Sequence, residues 1–341
     1  MTTSPLPVEI LGGGLAGLAL GLALRRLDVP VTIFEAGDYP RHRVCGEFIS
    51  GLDETTIDAF ELRPFLSDAR PHRVVHYHIR DRALPPFSLP ATAWGISRYA
   101  LDTRLARAFV AAGGALHTNT RTPEDDTPAG RVFAVGRHRR GPFWVGLKVH
   151  IRDLPLAEDF EVHLGHRAYL GLSRIETGEV NLCGIFASRT VDARGLDLLH
   201  SYLVASGLEA LAERLRHADF DPESFCVTAA PLGDRHFAPP DRIRIGDASA
   251  TIPPFTGNGL AMALQSAELA VAPLHAYSIG QVGWKETSRK IYTAQRRRFR
   301  RRLTLATWLH PFFLEPRRQS WLAALIGSRL VPFRAFYAAL R

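Results

Sequence analysis

Hydrophobic positions change period several times along the chain, and each change predicts an element. Val8–Leu11 is a short apolar run of buried-strand length, and Val31–Phe34 is a second. Between them, residues 18–24 are Leu and Ala around a single Gly21, the composition of a helix lying on a sheet. Residues 73–97 alternate apolar and polar, interrupted by Pro85, Pro86 and Pro90. Ser97 then opens a helix to about Ala112, which Gly113 and Gly114 end. Strand-like runs follow at 144–151, 160–164, 168–175 and 180–186, the last two joined by a turn at 176–179. Residues 196–217 read as helix, 243–245 as a strand, 258–274 as a long apolar helix, and the chain beyond 284 as basic helix.

These stretches are interleaved rather than sequential. Segments 1–68, 97–135 and 236–290 have the strand–helix–strand order of a Rossmann-like domain. They are interrupted by 69–96 and 136–235, which predict an antiparallel β-sheet domain, and 291–341 is a helical C-terminal segment. The expected fold class is α/β in two domains, with ligands in the cleft between them. With 341 residues, 46% apolar and 22% charged, the chain is long enough for two such cores.

The first strand runs into Gly12, Gly14 and Gly17 at G-x-G-x-x-G spacing, with Leu15 and Ala16 filling the loop. Gly12 allows the tight turn, Gly14 lets a pyrophosphate approach the backbone, and Gly17 lets helix and strand pack closely. The second strand ends in Glu35, followed by Ala36, where a carboxylate can accept hydrogen bonds from a ribose diol. Strand, loop, helix, strand and acid together predict a dinucleotide site. Far along the chain, Gly246-Asp247 follows another strand, and Pro253 to Gly259 turn into a helix with little side-chain bulk. That turn offers backbone N–H groups and a helix N-terminus to negative charge.

Charge and cysteine usage narrow the partners. Forty-two Lys+Arg against 34 Asp+Glu give a net charge of +8, and the only lysines are Lys148, Lys285 and Lys290. Arginine clusters at 137–140 and 296–302 read as solvated helix faces, with an anionic membrane surface as the alternative. No nucleic-acid reader motif accompanies them. Cys45, Cys183 and Cys226 lack C-x-x-C spacing, which predicts a reducing, cytoplasmic setting and neither disulfide nor zinc framework. His76 and His78 share a strand face, but no clustered carboxylate or cysteine completes a metal site in sequence, so none is expected. Residues 10–24 lack a basic lead and contain the glycine loop, so they are not read as a signal peptide. No apolar run is long enough to span a membrane. Neither G-x-S-x-G nor a Walker loop is present, which leaves hydrolase and phosphoryl-transfer classes unsupported.

The two glycine segments together resemble the FAD-dependent aromatic hydroxylase and geranylgeranyl reductase superfamily, built on the p-hydroxybenzoate hydroxylase fold. Gly246-Asp247-Ala248 with Pro254-Phe255-Thr256-Gly257-Asn258-Gly259 carries most of the likeness. Pro40 to Glu47, with Cys45-Gly46, is similar to the reductase branch, and Arg98 matches an arginine that reaches the FAD from a helix start. Residues 168–172 and 180–184 are similar to that branch's substrate-sheet strands. The resemblance implies FAD as cofactor. It places Gly12, Gly14, Leu15, Ala16, Gly17, Glu35, Ala36, Arg43, Cys45, Arg98, Gly246, Asp247, Pro254, Gly257, Asn258 and Gly259 around it. Cys45 and Gly257 to Gly259 are the expected catalytic positions. Hydroxylases of the superfamily carry an Asp-Gly pair where this chain has Val135-Gly136. Electrons would then come from NAD(P)H docking transiently or from a separate donor protein.

Three functions follow as expectations. The first is a monooxygenase hydroxylating a small apolar aromatic or polyketide-type substrate by oxygen transfer from reduced flavin. Trp144, Tyr169, Phe186 and Phe255 are candidates to line its substrate face. The second is a reductase of isoprenoid or other alkene double bonds, for which Cys45, between arginines that would lower its pKa, is the cue. The third is a membrane-surface flavoprotein, peripherally bound through residues 303–314 and 321–340.

Overall fold

The computed structural model describes residues 4–80, 82–136, 143–231, 242–327 and 337–340. The arginine cluster at 137–140, and Arg329 and Arg334 of the proposed membrane segment, lie outside them.

In chain order the first part comprises β1 (Val8–Leu11), α1 (Leu15–Arg25), β2 (Val31–Phe34), β3 (Phe48–Ile49) and α2 (Glu54–Ala59). There follow β4 (Arg70–Ile79), β5 (Arg82–Ala83), β6 (Phe87–Gly95), α3 (Arg98–Ala111), β7 (Ala115–His117) and β8 (Arg131–Phe133). The middle holds β9 (Phe143–Arg152), β10 (Phe160–Gly165), β11 (Ala168–Arg174), β12 (Val180–Ala187), α4 (Gly195–Ala205) and α5 (Glu209–Arg214). The last part holds β13 (Asp219–Pro231), β14 (Ile243–Arg244), α6 (Gly259–Ser278), α7 (Trp284–Leu314) and α8 (Pro316–Gly327).

Five strands form a parallel sheet in the order β14-β8-β1-β2-β7, the Rossmann-like layer that the glycine loop requires. Its apolar core joins Val8, Ile10 and Ile33 to the Leu/Ala face of α1, to Phe109 of α3 and to Leu264 and Leu274 of α6. Gly17 is required by that packing, because a Cβ there would collide with the Gly12 carbonyl. Ser97 caps α3 as its sequence position implies, its side chain accepting from Ala100 N at 3.0 Å.

The larger sheet runs β13-β9-β12-β11-β10-β4-β6-β3, with β5 on β4. It corrects the expectation of an antiparallel sheet in one respect, since β4 and β10 pair in parallel. β4 enters after α2 rather than from a hairpin with β10, so nothing reverses its direction. β3, placed with the nucleotide segments by sequence, pairs instead with β6 of this sheet. The single helix expected over 196–217 is two, separated around Gly207, whose φ of +71° no continuous helix accommodates.

Register sorts the sheet's side chains onto two faces. Leu147, Val149, Leu170, Leu172, Leu182 and Phe186 point towards α4 and α5. Trp144, Val162, Leu164, Tyr169 and Ile185 point the other way, into a cluster closed by Phe313 and Leu314 from the end of α7. Phe299, Ala306 and Leu309 of α7 are also buried, so this basic helix docks on the protein, while Trp308 and Trp321 remain 66% and 70% exposed. Among the described residues no helix is long and apolar enough to cross a membrane.

Candidate active site

The two glycine segments meet. Gly246 has φ of +61°, and a Cβ on it would sit 3.2 Å from the Ala16 Cβ, in the first turn of α1. Its amide donates to Ser266 Oγ of α6 at 2.7 Å, while Asp247, the next residue, is half-buried. Gly14 is open, the nearest atom to a Cβ there being Arg98 Nη2 at 3.7 Å. Gly12 turns with φ of +107° against Ala134, which leaves no room for a side chain.

Glu35 is buried behind this loop. Its Oε2 accepts from Gly13 N at 2.8 Å, and its Oε1 from Gly37 N at 3.0 Å and Arg41 Nη2 at 2.8 Å; Arg43 approaches Oε2 at 3.4 Å. Burial opposes its charge, but the two arginines and the amides outweigh burial and hold the carboxyl below its usual value. Ala36 follows it directly. Tyr39 donates to the Gly13 carbonyl from above the loop.

Arg98 and Arg43 are held by a residue that sequence reading missed. Asp102, 2% exposed, takes Arg98 in a two-pronged contact (2.7 and 2.6 Å) and Arg43 at 3.4 Å. The i, i+4 spacing of Arg98 and Asp102 on α3 was the available signal.

The loop carrying Cys45 lies over the face of the large sheet that bears Trp144 and Tyr169. Asn181 Nδ2 of β12 donates to the Cys45 carbonyl at 3.1 Å, and Ser173 Oγ of β11 donates to the Gly46 carbonyl at 3.1 Å. Burial pushes the Cys45 thiol up, with Arg98 only partly opposing. The lowered pKa expected from neighbouring arginines is thereby corrected: Arg41 and Arg43 aim at Glu35 and Asp102 instead. Beside it, Glu47 is fully buried and bonded to Arg98 N at 3.0 Å and His150 Nε2 at 2.6 Å, with Lys148 Nζ at 3.7 Å. Lys148, also fully buried, contacts His42 Nδ1 at 3.0 Å. Burial, Lys148 and His150 push the His42 imidazole down to about 4.

At the start of α6, Gly257 adopts φ of +63° with the ring of Phe48 3.0 Å from its Cβ position, and Gly259 has no atom within 4 Å of its own. Asn258 does not cap the helix; its Nδ2 donates to Leu340 O at 2.7 Å, near a Tyr337–Ser50 hydroxyl contact of 2.9 Å. The first amides of α6 thus lack a side-chain cap beside open backbone, which fits the electron-rich edge of a flavin. Pro254 opens the preceding turn, and Phe255 stacks on Phe313 with ring centroids 4.0 Å apart.

Phe255, Tyr169 and Trp144 share one apolar cluster with Phe313, and His310 joins it 3.5 Å from the Tyr169 hydroxyl. Burial pushes His310 down to about 4. Phe186 does not belong there. It is fully buried on the opposite face against Tyr202, centroids 5.3 Å apart, because β12 alternates and Ile185 takes the Tyr169 side. Val135 is 37% exposed beyond the end of β8. The premise that no carboxylate accompanies His76 and His78 is also overturned: β10 brings Glu161 and His163 alongside them.

No family description matches the sequence, and no curated protein does. Solved structures do. A geranylgeranyl bacteriochlorophyll reductase-like protein from Thermoplasma acidophilum superposes with a TM-score of 0.75 at 16% identity, covering 98% of this chain and 94% of its own. PqsL of Pseudomonas aeruginosa, solved with 2-aminobenzoylacetate, gives 0.69 at 14% identity, covering 93% and 99%. The flavin-dependent brominase Bmp2 gives 0.70 at 17% identity, covering 99% and 93%. The chain therefore shares its fold with these solved structures.

Proposed function

We propose that the protein is an FAD-dependent oxidoreductase that oxygenates a small apolar aromatic or polyketide-type ring. Convergence carries the reading: Gly14, Ala16, Arg98 and Gly246 come together from opposite ends of the sequence, around open backbone and an uncapped helix. The Gly12–Gly17 turn, with Leu15 and Ala16, would hold the diphosphate at the start of α1. Glu35 and Ala36 would face the ribose, whose hydroxyls would compete with Arg41 for the carboxylate. Asp247 would bond the ribitol, Arg43 and Arg98 would grip the cofactor, and Pro254 to Gly259 would bind its pyrimidine edge. FAD supplies the electron transfer and oxygen activation.

The chain's own contribution is electrostatic and steric. The α6 start stabilises negative charge without reorganising during the reaction. Asn181 and Ser173 fix the Cys45-Gly46 wall, and Trp144, Tyr169, Phe255 and His310 exclude water and aim the ring. A neutral His310 keeps that wall free of a cation. The fold likeness to PqsL, solved with an aromatic ligand, supports this assignment.

A second reading, alkene reduction, is favoured by the Cys45-Gly46 loop anchored on the sheet and by the likeness to the reductase-like protein. For either reaction we assign the electrons to transiently docked NAD(P)H or to a donor protein. The test is reconstitution with FAD, then anaerobic titration with NADPH and NADH followed by O₂ and candidate phenols. Hydroxylated product only after O₂ supports oxygenation; saturated product formed anaerobically from an alkene supports reduction instead. Protein that cannot be reconstituted overturns both.

A further inference from the structure

His76 and His78 of β4 project from the helix-covered face of the large sheet. In the parallel neighbour β10, Glu161 lies opposite His76 and His163 opposite His78. Alternate positions of two adjacent strands therefore place three imidazoles and a carboxylate in one compact block. We propose that His78, Glu161 and His163 form a site for a divalent cation of the zinc class, which pins β4 to β10.

The donors are already gathered. One ligand atom from each of the three lies within 4.8 Å of the others. His163 Nε2 and Glu161 Oε2 are 3.2 Å apart, close to the ~3.3 Å between two ligands that each stand ~2.0 Å from a tetrahedral zinc. His78 Nε2 and His76 Nδ1 are buried without a hydrogen-bond partner among the described residues, a costly state that a metal bond would relieve for His78. Glu161 and His163 are 1% and 4% exposed, so the site excludes most water. Two nitrogens and one carboxylate oxygen suit zinc and its neighbours better than magnesium or calcium.

The surroundings orient these groups. Ala157 N donates to Glu161 Oε1 at 3.0 Å, and Arg214 reaches Oε2 at 2.7 Å and Oε1 at 3.4 Å. Arg214 is 30% exposed, so it can withdraw to solvent when a cation takes the oxygen facing the imidazoles. The His78 and His163 rings lie parallel, centroids 4.3 Å apart, so two of the imidazoles already stand face to face. His76, centroid 4.6 Å from that of His78, stands beside the remaining position, which it or water fills.

The role is mechanical. Among the described strands of this sheet, β4–β10 is the one parallel junction, and it joins the β3–β6 wing to the rest. The block faces away from Trp144 and Tyr169, so the proposal stands independently of the flavin reading.

The test uses the full chain, stripped with EDTA and titrated with Co²⁺ and then Zn²⁺. The expected result is one Co²⁺ per chain with visible d–d bands, displaced by Zn²⁺, and a thermal midpoint raised by Zn²⁺. His78→Gln should weaken binding at least tenfold, and the His78→Gln/His163→Gln double variant should abolish the bands. His78→Gln alone decides the matter if the double variant does not fold, since His78 is only half-buried. Absence of saturable one-to-one binding, or unchanged binding in His78→Gln, overturns the proposal.

Discussion

His150 Nε2 lies 2.6 Å from Glu47 Oε2, which bonds the loop beside the nucleotide domain to β9 of the large sheet. Glu47 also receives the Arg98 amide at the start of α3, so one buried carboxylate spans both layers.

Removing that charge strands another. Lys148 is fully buried with Glu47 as its carboxylate, and breaking a buried pair on one side costs about 3–5 kcal/mol. Glu47→Gln should lose about 3 kcal/mol in urea unfolding, and adding Lys148→Met should recover much of it. Equal midpoints for wild type and Glu47→Gln would refute the role given to Glu47.

Asp102 positions two arginines that the proposed function assigns to FAD. Asp102→Asn removes charge-assisted bonds worth about 1.5–3 kcal/mol, so FAD affinity should fall roughly ten- to hundredfold. Quenching of flavin fluorescence on titration measures it. An unchanged dissociation constant with a folded variant counts against the assignment.

Tyr169 and Phe186 stand on opposite faces of adjacent strands, so their truncations should part company. Phe186→Ala should cost about 3–5 kcal/mol of stability and leave substrate preference alone. Tyr169→Ala should change KM and substrate range. The reverse pattern in steady-state kinetics and denaturation would invert the two faces.

Acid should weaken the fold through histidine burial. The imidazoles of His42 and His310 are held down to about 4 against an ordinary 6.5. Between those values the unfolded chain binds protons that the folded chain refuses. Stability is therefore full above about pH 6.5 and declines as pH falls towards 4. Each shift is worth at most about 3 kcal/mol, and less for the half-covered His42. Urea midpoints at pH 7 and pH 5 should differ less in His310→Phe than in wild type; an identical difference would remove His310 from the account.

Elements with local signals were legible in sequence. The Gly12–Gly17 turn, the Ser97 cap and the strand before Gly246 declare themselves through residues a few positions apart. What failed was long-range. β12 is buried on both faces, so its composition gives no clue that Ile185 rather than Phe186 joins the Tyr169 cluster. The partners of His76 and His78 arrive on β10, a strand far along the chain whose parallel pairing no spacing encodes. The sign of the Cys45 shift depended on where Arg41 and Arg43 aim, a question of side-chain direction that proximity in the chain does not answer.

The edge strand β14 follows β8 only after the entire β9–β13 stretch. On the ribosome, β1, β2 and β8 must therefore wait, with one edge unpaired, while most of the remaining polypeptide is made. Such delayed closure favours slow folding and exposes apolar strands to self-association. Production should accordingly gain from cooler growth and chaperone supply, because the late-arriving strand completes what the first residues began.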